Sequence, residues 1–358
     1  MNYVFKVFYQ VLYLFLMLIS IPKPSHFLVQ NPPSVPALIV VWFVARVRRS
    51  QFVVDWHNYG FTILGMALGE KHLFVKFYRF LEFLFGGLSD KNLCVSKAMQ
   101  KDLETRINKT ATVLYDRSFS FFQTLTLEEK HNFWLRFQEE YTEIRPTNHQ
   151  NETMFTKGVN GIVEKKNDSP IILISSSSWT EDEDFLLLLN ALIDFDQNHA
   201  SKLIQNSQNF KVLCIITGKG PLKQFFMSRI AQYRFKHTSF IFPWLAAEDY
   251  PKILACSTLG ICLHKSSSGL DLPMKVVDMF GVKLPVCAYD YPTITELVTP
   301  SENGKIFKNQ TQLVNCLQEL FSDYPECSTL QKYRETLENT FSKQTWSTNW
   351  SDNALQLF

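Results

Sequence analysis

Hydrophobic and polar residues alternate along most of this chain in blocks that predict strands separated by helices. In the first third, short apolar runs typical of buried strands occupy residues 26–30, 52–56, 92–95 and 112–115. Longer segments with helical spacing lie between them, for example residues 73–85. Strands that alternate with helices indicate a parallel sheet with helices on both faces. The pattern therefore predicts a first doubly wound α/β domain.

A second alternation of the same kind begins at Pro170 and predicts a second sheet. Its strands are predicted at residues 171–174, 212–217, 239–242, 259–263 and 285–288. The segment 302–307 is predicted as a turn, and two further helices are predicted at residues 312–322 and 328–342. The fold class that follows is α/β, with two Rossmann-like domains.

The domain boundaries follow from changes in this pattern. Residues 118–167 are polar and carry few strand signals, so they are interpreted as a helical excursion and loop between the two domains. We therefore predict an N-terminal domain at 1–125, a connection at 126–167, a C-terminal domain at 168–325, and a final helix and tail at 326–358.

The start of the chain is apolar and basic. Residues 7–21 and 35–47 are strongly apolar, and the first acidic residue is Asp55. The basic residues before it are Lys6, Lys23, Arg46, Arg48 and Arg49. Residues 7–21 are shorter than the roughly 20 residues that span a bilayer. A buried or membrane-surface helix, with the arginines facing lipid headgroups, is favoured over a true membrane anchor, which stays open.

Composition and charge narrow the classes of function. The chain has 358 residues, of which 46% are hydrophobic, and this is enough for two cores. The net charge of +2 argues against a nucleic-acid-binding protein. The seven cysteines include no C-x-x-C pair, which is typical of reduced thiols in a cytosol-facing protein.

Residues 266–296 form the most informative segment. A polar loop, SSSGLD, opens an apolar helix, LPMKVVDMF, which Gly281 ends before the strand-like LPVCAY. Such a loop can present backbone N–H groups and a helix N-terminus to a diphosphate. Asp278, two turns further along, can accept hydrogen bonds from ribose hydroxyls. Loop, helix and strand in this order indicate the donor half of a nucleotide-sugar transferase.

Six sequence runs carry a resemblance to one family. They are DWHNYG (55–60), NLCVSKAM (92–99), SSSSWTEDEDF (175–185), ITGKGPL (216–222), PWLAAEDYP (243–251) and HKSSSGLDLPMKVVDMFG (264–281). In this order they closely resemble the chitobiosyldiphosphodolichol beta-mannosyltransferase family, which adds the first mannose to the lipid-linked N-glycan precursor. Family members begin with a membrane anchor, a first strand and a glycine-containing loop, and this chain is expected to start after all three.

The resemblance implies a two-domain GT-B glycosyltransferase and a specific reaction. Mannose would pass from GDP-mannose to dolichyl-diphosphate chitobiose, with inversion to a beta-1,4 linkage. The N-terminal domain would meet this acceptor at the cytosolic face of the endoplasmic reticulum membrane. Other dolichol-pathway mannosyltransferases are a further class of partner, and no nucleic acid is expected.

The C-terminal domain supplies the predicted donor site. Its candidate residues are Ser176, Gly218, Lys219, Gly220, Trp244, Lys265, Ser267, Ser268, Gly269, Leu270, Asp271, Lys275 and Asp278. The glycines at 218 and 220 would allow close approach to a ligand or form an ordinary turn. Trp244 or Leu245 would pack on the guanine, although an aromatic residue after a strand can also belong to the core. Lys219, Lys265 and Lys275 are the candidates for the phosphates, although Lys275 could also be a surface lysine.

The acids at 181–184 have two interpretations of equal weight. Thr180 and Glu183 fit a helix-capping box, and the alternative is a functional role. For catalysis, His57 could act as general base with Asp55 setting its tautomer. A structural histidine is the alternative, as is a base on the family's first loop, outside this chain.

No metal-binding motif is visible in the sequence, and no cofactor is expected. The helix N-terminus and lysines would then replace a divalent cation at the diphosphate. Two other functions stay open. One is a lipid-linked sugar transferase that uses another donor, such as UDP-N-acetylglucosamine, and the other is a truncated, non-catalytic paralogue that binds GDP-mannose or a partner transferase.

Overall fold

The computed structural model describes residues 3–146, 151–167, 169–180, 183–203 and 210–358. The chain divides into two compact units. The first comprises Met1–Asp116, Ser266–Leu272 and Trp346–Phe358, and the second comprises Arg117–Lys265 and Pro273–Thr345. Each unit contains a parallel sheet with flanking helices, so the predicted α/β fold class with two Rossmann-like units is confirmed.

The first unit is built on four parallel strands in the order β1-β2-β3-β4. The strands are His26–Asn31 (β1), Gln51–Trp56 (β2), Lys91–Cys94 (β3) and Thr112–Val113 (β4). The helices are Tyr3–Ser20 (α1), Ala37–Arg48 (α2), Gly60–Leu68 (α3), Leu73–Gly86 (α4) and Lys97–Ile107 (α5). All four strands were predicted from their apolar runs, whereas α3 was not.

Helix α1 packs one face against the core of the first unit. Val11, Leu14, Phe15 and Leu18 make this contact, whereas most of the other apolar side chains of α1 are exposed. Arg48 donates from Nη1 to the carbonyl of Leu18 at 2.6 Å, which satisfies the helix C-terminus. Within the described ranges, no helix has both the length and the hydropathy needed to cross a bilayer.

Arg46 and Arg48, in the last turn of α2, make contacts within the first unit that the sequence did not predict. Arg46 forms an ion pair with Asp90 at 2.9 Å, and Arg48 is bound to the end of α1. Arg46 and Arg48 are therefore engaged in structural contacts, because each satisfies a neighbouring group of the same unit.

Helix α4 buries a glutamate and exposes aromatic residues. The Glu82 side chain is 0% exposed and accepts hydrogen bonds from Asn31 Nδ2 at 2.7 Å, Gly60 N at 2.8 Å and Phe61 N at 3.1 Å. Its carboxylate thus lies at the N-terminus of α3, where the helix dipole stabilises negative charge. Residue 60 must be glycine, because a Cβ there would lie 2.8 Å from Ser34 Oγ.

The second unit contains six parallel strands in the order β12-β11-β10-β7-β8-β9. These strands are Ile171–Ser176 (β7), Val212–Thr217 (β8), Thr238–Ile241 (β9), Leu259–Cys262 (β10), Val286–Tyr289 (β11) and Gly304–Phe307 (β12). The prediction of a turn at 302–307 was wrong at its end, since β12 pairs with β11 there.

Helices cover both faces of this sheet. They are Leu127–Glu140 (α6), Phe185–Asp194 (α7), Ala200–Leu203 (α8), Lys223–Ile230 (α9), Tyr250–Cys256 (α10), Met274–Gly281 (α11), Gln310–Leu320 (α12) and Ser328–Asn339 (α13). A π-helical turn, Phe195–His199, joins α7 to α8. The chain ends, in the first unit, with Trp346–Asn349 (α14) and two helical turns, Trp350–Ala354 and Leu355–Leu357.

An antiparallel hairpin within residues 118–167 was not predicted. Its strands are Thr156–Val159 (β5) and Ile162–Lys165 (β6). Asn160 and Gly161 join them with φ angles of 51° and 79°. An Asn-Gly pair between apolar residues favours a two-residue hairpin turn, so the signal was present in the sequence.

Glu82 provides a test of the first unit. Replacing it with alanine removes the acceptor of two N–H groups of α3 and of one of the two Asn31 Nδ2 hydrogens, the other of which donates to the Asn58 carbonyl. We expect Glu82→Ala to lower the free energy of unfolding by about 2–4 kcal/mol, measured by urea denaturation. The matched control is Glu104→Ala on the exposed face of α5, with an expected change within about 0.5 kcal/mol. Similar losses for both variants would contradict this role.

Candidate functional site

The carboxyl ends of β7 and β10 mark the expected ligand-binding edge of the second sheet. These strands are neighbours in the sheet, although β8 and β9 separate them in the chain. In doubly wound sheets, ligands bind outside the carboxyl ends of the strands, where the strand order reverses. The residues that follow β7 and β10 are therefore the first to consider.

Glu183 lies at this edge, and its side chain is only 1% exposed. It pairs with His264 in an isolated bridge beyond β10. Its carboxylate accepts from Ser177 Oγ at 2.6 Å and Ser178 N at 3.1 Å, and it forms an ion pair with Lys275 on α11. A buried carboxylate is costly unless it is paired in this way. Glu183 therefore joins the loop after β7 to α11.

The predicted capping box at this helix is wrong. Helix α7 begins at Phe185, and its N-cap is Asp184, whose carboxylate accepts from Leu187 N at 3.1 Å. Glu183 is turned away to the buried pair with Lys275. Residues 181 and 182, which belong to the same acidic run, lie outside the described residues. The interpretation of Lys275 as a surface lysine is also wrong, because it pairs with Glu183.

The two glycines after β8 are explained by packing of one loop on another. Gly218 has a φ of 118°, and a Cβ there would lie 1.8 Å from the Ser177 carbonyl oxygen. A Cβ at Gly220 would lie 1.8 Å from the Ser178 carbonyl oxygen. Only glycine allows this approach. The loop after β8 therefore rests on the segment that Glu183 holds.

Lys219 and Trp244, both predicted from the sequence, lie together. Lys219 Nζ is 4.0 Å from the centre of the Trp244 ring, in cation–π geometry. Trp244 is 55% exposed, so it is not a core residue. An exposed aromatic ring provides a surface on which a nucleotide base can stack, and the neighbouring lysine can interact with the phosphate of that nucleotide.

Lys223 was not singled out from the sequence. Its Nζ donates to the carbonyl of Phe242 at 2.9 Å and to that of Gly218 at 3.4 Å. Burial, with the nearby charge of Lys219, lowers the pKa of Lys223. It thus ties the loop after β8 to the end of β9. Nothing in its local sequence distinguishes it from an exposed lysine on α9.

Lys265 follows β10 and is partly exposed. Its Nζ lies 4.7 Å from the centre of the Tyr289 ring and 3.7 Å from Asp184 Oδ2. The contact with Asp184 is long and both groups are exposed, so this ion pair is weak. Lys265 can therefore also interact with another anion.

Asp278 is half-buried on α11 beside Tyr250. Burial raises the pKa of Asp278 to about 7, and the hydrogen-bonding contact of the Tyr250 hydroxyl opposes this rise. The pKa of Tyr250 is raised by burial and by the charge of Asp278, while its contact with Ser176 has the opposite effect. Ser176, Tyr250 and Asp278 therefore form one polar group at the carboxyl end of β7.

The predicted phosphate loop, Ser266–Leu272, belongs to the first unit. Ser266 Oγ accepts from Gly269 N at 2.8 Å, and Ser268 Oγ accepts from Leu270 N at 3.1 Å. Gly269 has a φ of 74°, which favours glycine. The loop is thus folded around its own hydroxyl groups.

This loop is also bound to α3 and to the segments before α3 and α5. Asn58 Nδ2 donates to Asp271 Oδ1 at 3.1 Å, and the Ser267 and Thr62 hydroxyls are 3.0 Å apart. The Ser96 hydroxyl donates to the Leu270 carbonyl at 2.6 Å. The sequence analysis assigned this loop to the C-terminal domain, because its neighbours in the chain belong there. Its contacts place it in the first unit.

Asp55 and His57 are in contact at the end of β2, as predicted. Asp55 Oδ2 lies 3.0 Å from His57 Nε2, and both side chains are partly exposed. Burial lowers the pKa of His57, but the hydrogen bond and charge of Asp55, with the charge of Asp116, outweigh it, so that the pKa is raised above 6.5. Because Asp55 holds the Nε2–H tautomer, Nδ1 is the nitrogen that can accept a proton.

The described residues contain no group of three or more His, Cys, Asp or Glu side chains placed to hold a metal ion. The lysines described above at the carboxyl edge of the second sheet are Lys219, Lys223, Lys265 and Lys275.

The Asp55–His57 contact predicts a pH-dependent effect. Since the pKa of His57 is raised on folding, the pair stabilises the fold fully below pH 6.5, and this contribution is lost as the pH rises through the folded pKa. We expect Asp55→Asn to lower the pKa of His57 by about 1 or more, measured by NMR titration of the imidazole. The control is Asp352→Asn, an exposed carboxylate of the same unit. An unchanged His57 titration in Asp55→Asn would show that the contact has no electrostatic effect.

Comparison with known proteins places this site in a family. Residues 158–337 match the family model described as glycosyl transferases group 1. A glycosyltransferase of known structure from Rickettsia africae is 15% identical and superposes with a TM-score of 0.61, covering 97% of this chain and 79% of that one. This agrees with the GT-B fold of two Rossmann-like units.

Two curated relatives are similar over the length of the chain. The chitobiosyldiphosphodolichol beta-mannosyltransferase of Mus musculus is 40% identical over 365 residues, covering 100% of this chain and 75% of the mouse protein. UDP-glycosyltransferase TURAN of Arabidopsis thaliana is 42% identical over 364 residues, covering 96% of this chain and 78% of the Arabidopsis protein. The chain therefore belongs to the chitobiosyldiphosphodolichol beta-mannosyltransferase family.

Proposed function

We propose that this chain is a hexosyltransferase that moves mannose from GDP-mannose to dolichyl-diphosphate chitobiose, forming a beta-1,4 linkage with inversion. The observation that carries this function is the 40% identity to the mouse enzyme across 100% of the chain. In the reaction, an acceptor hydroxyl oxygen bonds to the anomeric carbon of mannose while the bond from that carbon to the diphosphate breaks. GDP leaves, and the hydroxyl proton passes to His57 Nδ1.

The second unit would bind the donor through the residues at the carboxyl ends of its strands. Burial raises the pKa of Asp278 to about 7. Its carboxyl group would ionise and accept hydrogen bonds from the ribose hydroxyls. Trp244 offers an exposed ring for the guanine, with Lys219 over its face. Lys219 and Lys265 would face the diphosphate in place of a metal ion, whereas Lys275 acts through Glu183 as a positioning residue.

Donor binding can be tested with a single carboxylate. We expect the full chain to bind GDP in the presence of a chelator, and Asp278→Ala to bind GDP about 5- to 150-fold more weakly. This loss corresponds to about 1–3 kcal/mol for unpaired ribose hydroxyls. Titration calorimetry measures both affinities. The matched control is Asp194→Ala, at the C-terminal end of α7, with an expected affinity equal to that of the unmodified chain. Equal GDP affinity in Asp278→Ala would contradict the ribose assignment.

A second candidate function is transfer from a UDP-sugar. The observation that favours it is the name of the Arabidopsis relative, which is a UDP-glycosyltransferase. Titration with GDP and UDP under the same conditions separates the two, because our proposal requires tighter binding of GDP. Tighter binding of UDP would replace it. Turnover of GDP-mannose with a lipid-linked chitobiose acceptor then separates an enzyme from a non-catalytic binding protein.

The first unit presents an apolar surface suited to the lipid-linked acceptor. On successive turns, helix α4 exposes a stripe of four apolar residues, each between 44% and 79% exposed: Leu73, Phe77, Phe80 and Leu84. Helix α1 exposes further apolar side chains in the same unit. An exposed apolar helix face of this size, with basic residues beside it, is typical of a protein that lies in a membrane interface. We assign this surface to the cytosolic face of the endoplasmic reticulum membrane.

The α4 stripe yields a membrane-binding test. We expect Phe77→Ser with Phe80→Ser to reduce binding to vesicles of anionic phospholipid by about tenfold or more, because each phenyl ring contributes about 1–2 kcal/mol when it leaves water. Sedimentation with vesicles measures the bound fraction. The control is Phe225→Ser, which replaces an exposed phenylalanine on α9 of the second unit. Binding that is unchanged in the double variant, or equally reduced in the control, would exclude α4 as the membrane surface.

A further inference from the structure

A large cavity lies at the amino ends of β7 and β10, at the opposite edge of the second sheet from the candidate donor site. Its volume is about 760 Å³, within the range of small-molecule sites. Ile171 and Ile172 at the start of β7, and Ser257 and Thr258 just before β10, form part of its wall. The six-residue length of β7 places it roughly 16–20 Å from the residues that follow that strand.

The cavity combines apolar walls with positive charge. Trp134, Phe155 and Leu330 supply apolar surface, and the cationic residues of its lining are Lys130, Lys165, Lys166 and Arg334. Lys166 is neutralised by Glu152 at 2.8 Å. Lys130, Lys165 and Arg334 have no ion-pair partner within the part of the chain that the structure describes.

The other titratable residues of the lining do not balance this charge. Glu326 is its one acidic residue among those described, and it is exposed at the rim. Burial raises the pKa of the Cys256 thiol to about 12 and that of Cys327 to about 11, so both are neutral at pH 7. Glu335 and Glu338 line a separate cavity of about 130 Å³ that Lys130 and Arg334 also border, and Glu338 pairs with Lys283.

Arg334 is held with its guanidinium group in this wall. Its Nη2 donates to the carbonyls of Ser257 and Thr258, both at 3.0 Å. Its Nε is buried and has no hydrogen-bond partner among the described residues. Burial lowers the pKa of Arg334, and burial with the charges of Arg334 and Lys165 lowers that of Lys130. The cations therefore repel one another in a partly desolvated space.

We propose that this cavity binds a small molecule that carries a phosphoryl group, with Lys130, Lys165 and Arg334 as its ligands. A doubly charged phosphoryl group neutralises the three cations more completely than a single carboxylate would, and it offers an acceptor to Arg334 Nε. The aromatic wall at Trp134 and Phe155 would receive an apolar part of the ligand. This site is separate from the proposed donor site and does not depend on the identity of the sugar donor.

Lys130 carries an electrostatic cost that a lysine serving only the fold would not carry. Lys130 is partly buried among like charges, so removing its charge relieves repulsion and desolvation. We therefore expect Lys130→Met to raise the melting temperature of the ligand-free chain while it removes a ligand for phosphate. A lysine that served only the fold would lower the melting temperature when replaced.

The test uses inorganic pyrophosphate with the full chain, at an ionic strength held constant with chloride. We expect pyrophosphate to raise the melting temperature of the unmodified chain and of Lys219→Met, a matched variant at the candidate donor site. Lys130→Met and Lys165→Met should bind pyrophosphate at this cavity at least about tenfold more weakly by calorimetry. Lys165 is exposed, so its replacement leaves the fold intact. Binding that is retained in both of these variants but lost in Lys219→Met would place pyrophosphate at the donor residues and overturn the proposal. Absence of any pyrophosphate binding to the unmodified chain would overturn it equally.

Discussion

The buried carboxylate of Glu183 is the constraint on which the ligand-binding edge of the second sheet depends. A charge that is 1% exposed must be surrounded by donors, and two segments supply them: the loop after β7, through Ser177 and Ser178, and α11, through Lys275. The backbone of Glu183 also forms a bridge with His264 in the chain after β10. The loop after β8 follows indirectly, since its two glycines rest on the carbonyls of Ser177 and Ser178. Three loops of the sheet and helix α11 thus meet at one residue.

In the first unit, a second buried glutamate, Glu82, also holds neighbouring segments together, here without an ion pair. Glu82 accepts from two backbone N–H groups at the start of α3 and from Asn31 at the end of β1. It therefore fixes the helix that follows Asp55 and His57 in the chain. A carboxylate is suited to this task because it accepts several hydrogen bonds at once and has no donor of its own to satisfy. The cost of burying it is offset by the helix dipole.

Most of the fold could be predicted from the sequence, because the strands are apolar runs whose burial depends on local pattern alone. Every strand of both parallel sheets was anticipated except β12, whose run Gly304–Phe307 has too few apolar residues to stand out. The hairpin turn at Asn160 and Gly161 was overlooked although its signal is local. Asp55, His57, Lys219 and Trp244 were found because they lie at or just after the carboxyl ends of strands. Lys223 and Glu82 were missed, and Glu183 was given the wrong partner, because their partners are distant in sequence. No spacing rule connects a charged side chain to a group that only folding brings near.

The shape of the SSSGLD loop is determined by hydrogen bonds within the protein. Its serine hydroxyls accept from the N–H groups of Gly269 and Leu270, and the Asp271 carboxylate accepts from Asn58. A phosphate oxygen that approached these N–H groups would replace hydroxyl acceptors that already hold them in place. The exchange leaves the number of hydrogen bonds unchanged, so its free energy comes from the greater strength of bonds to a charged acceptor. Because the loop is ordered beforehand, binding would not have to supply the conformational entropy of folding it. If the loop binds phosphate as predicted, its asparagine and serine contacts would order it in advance of binding.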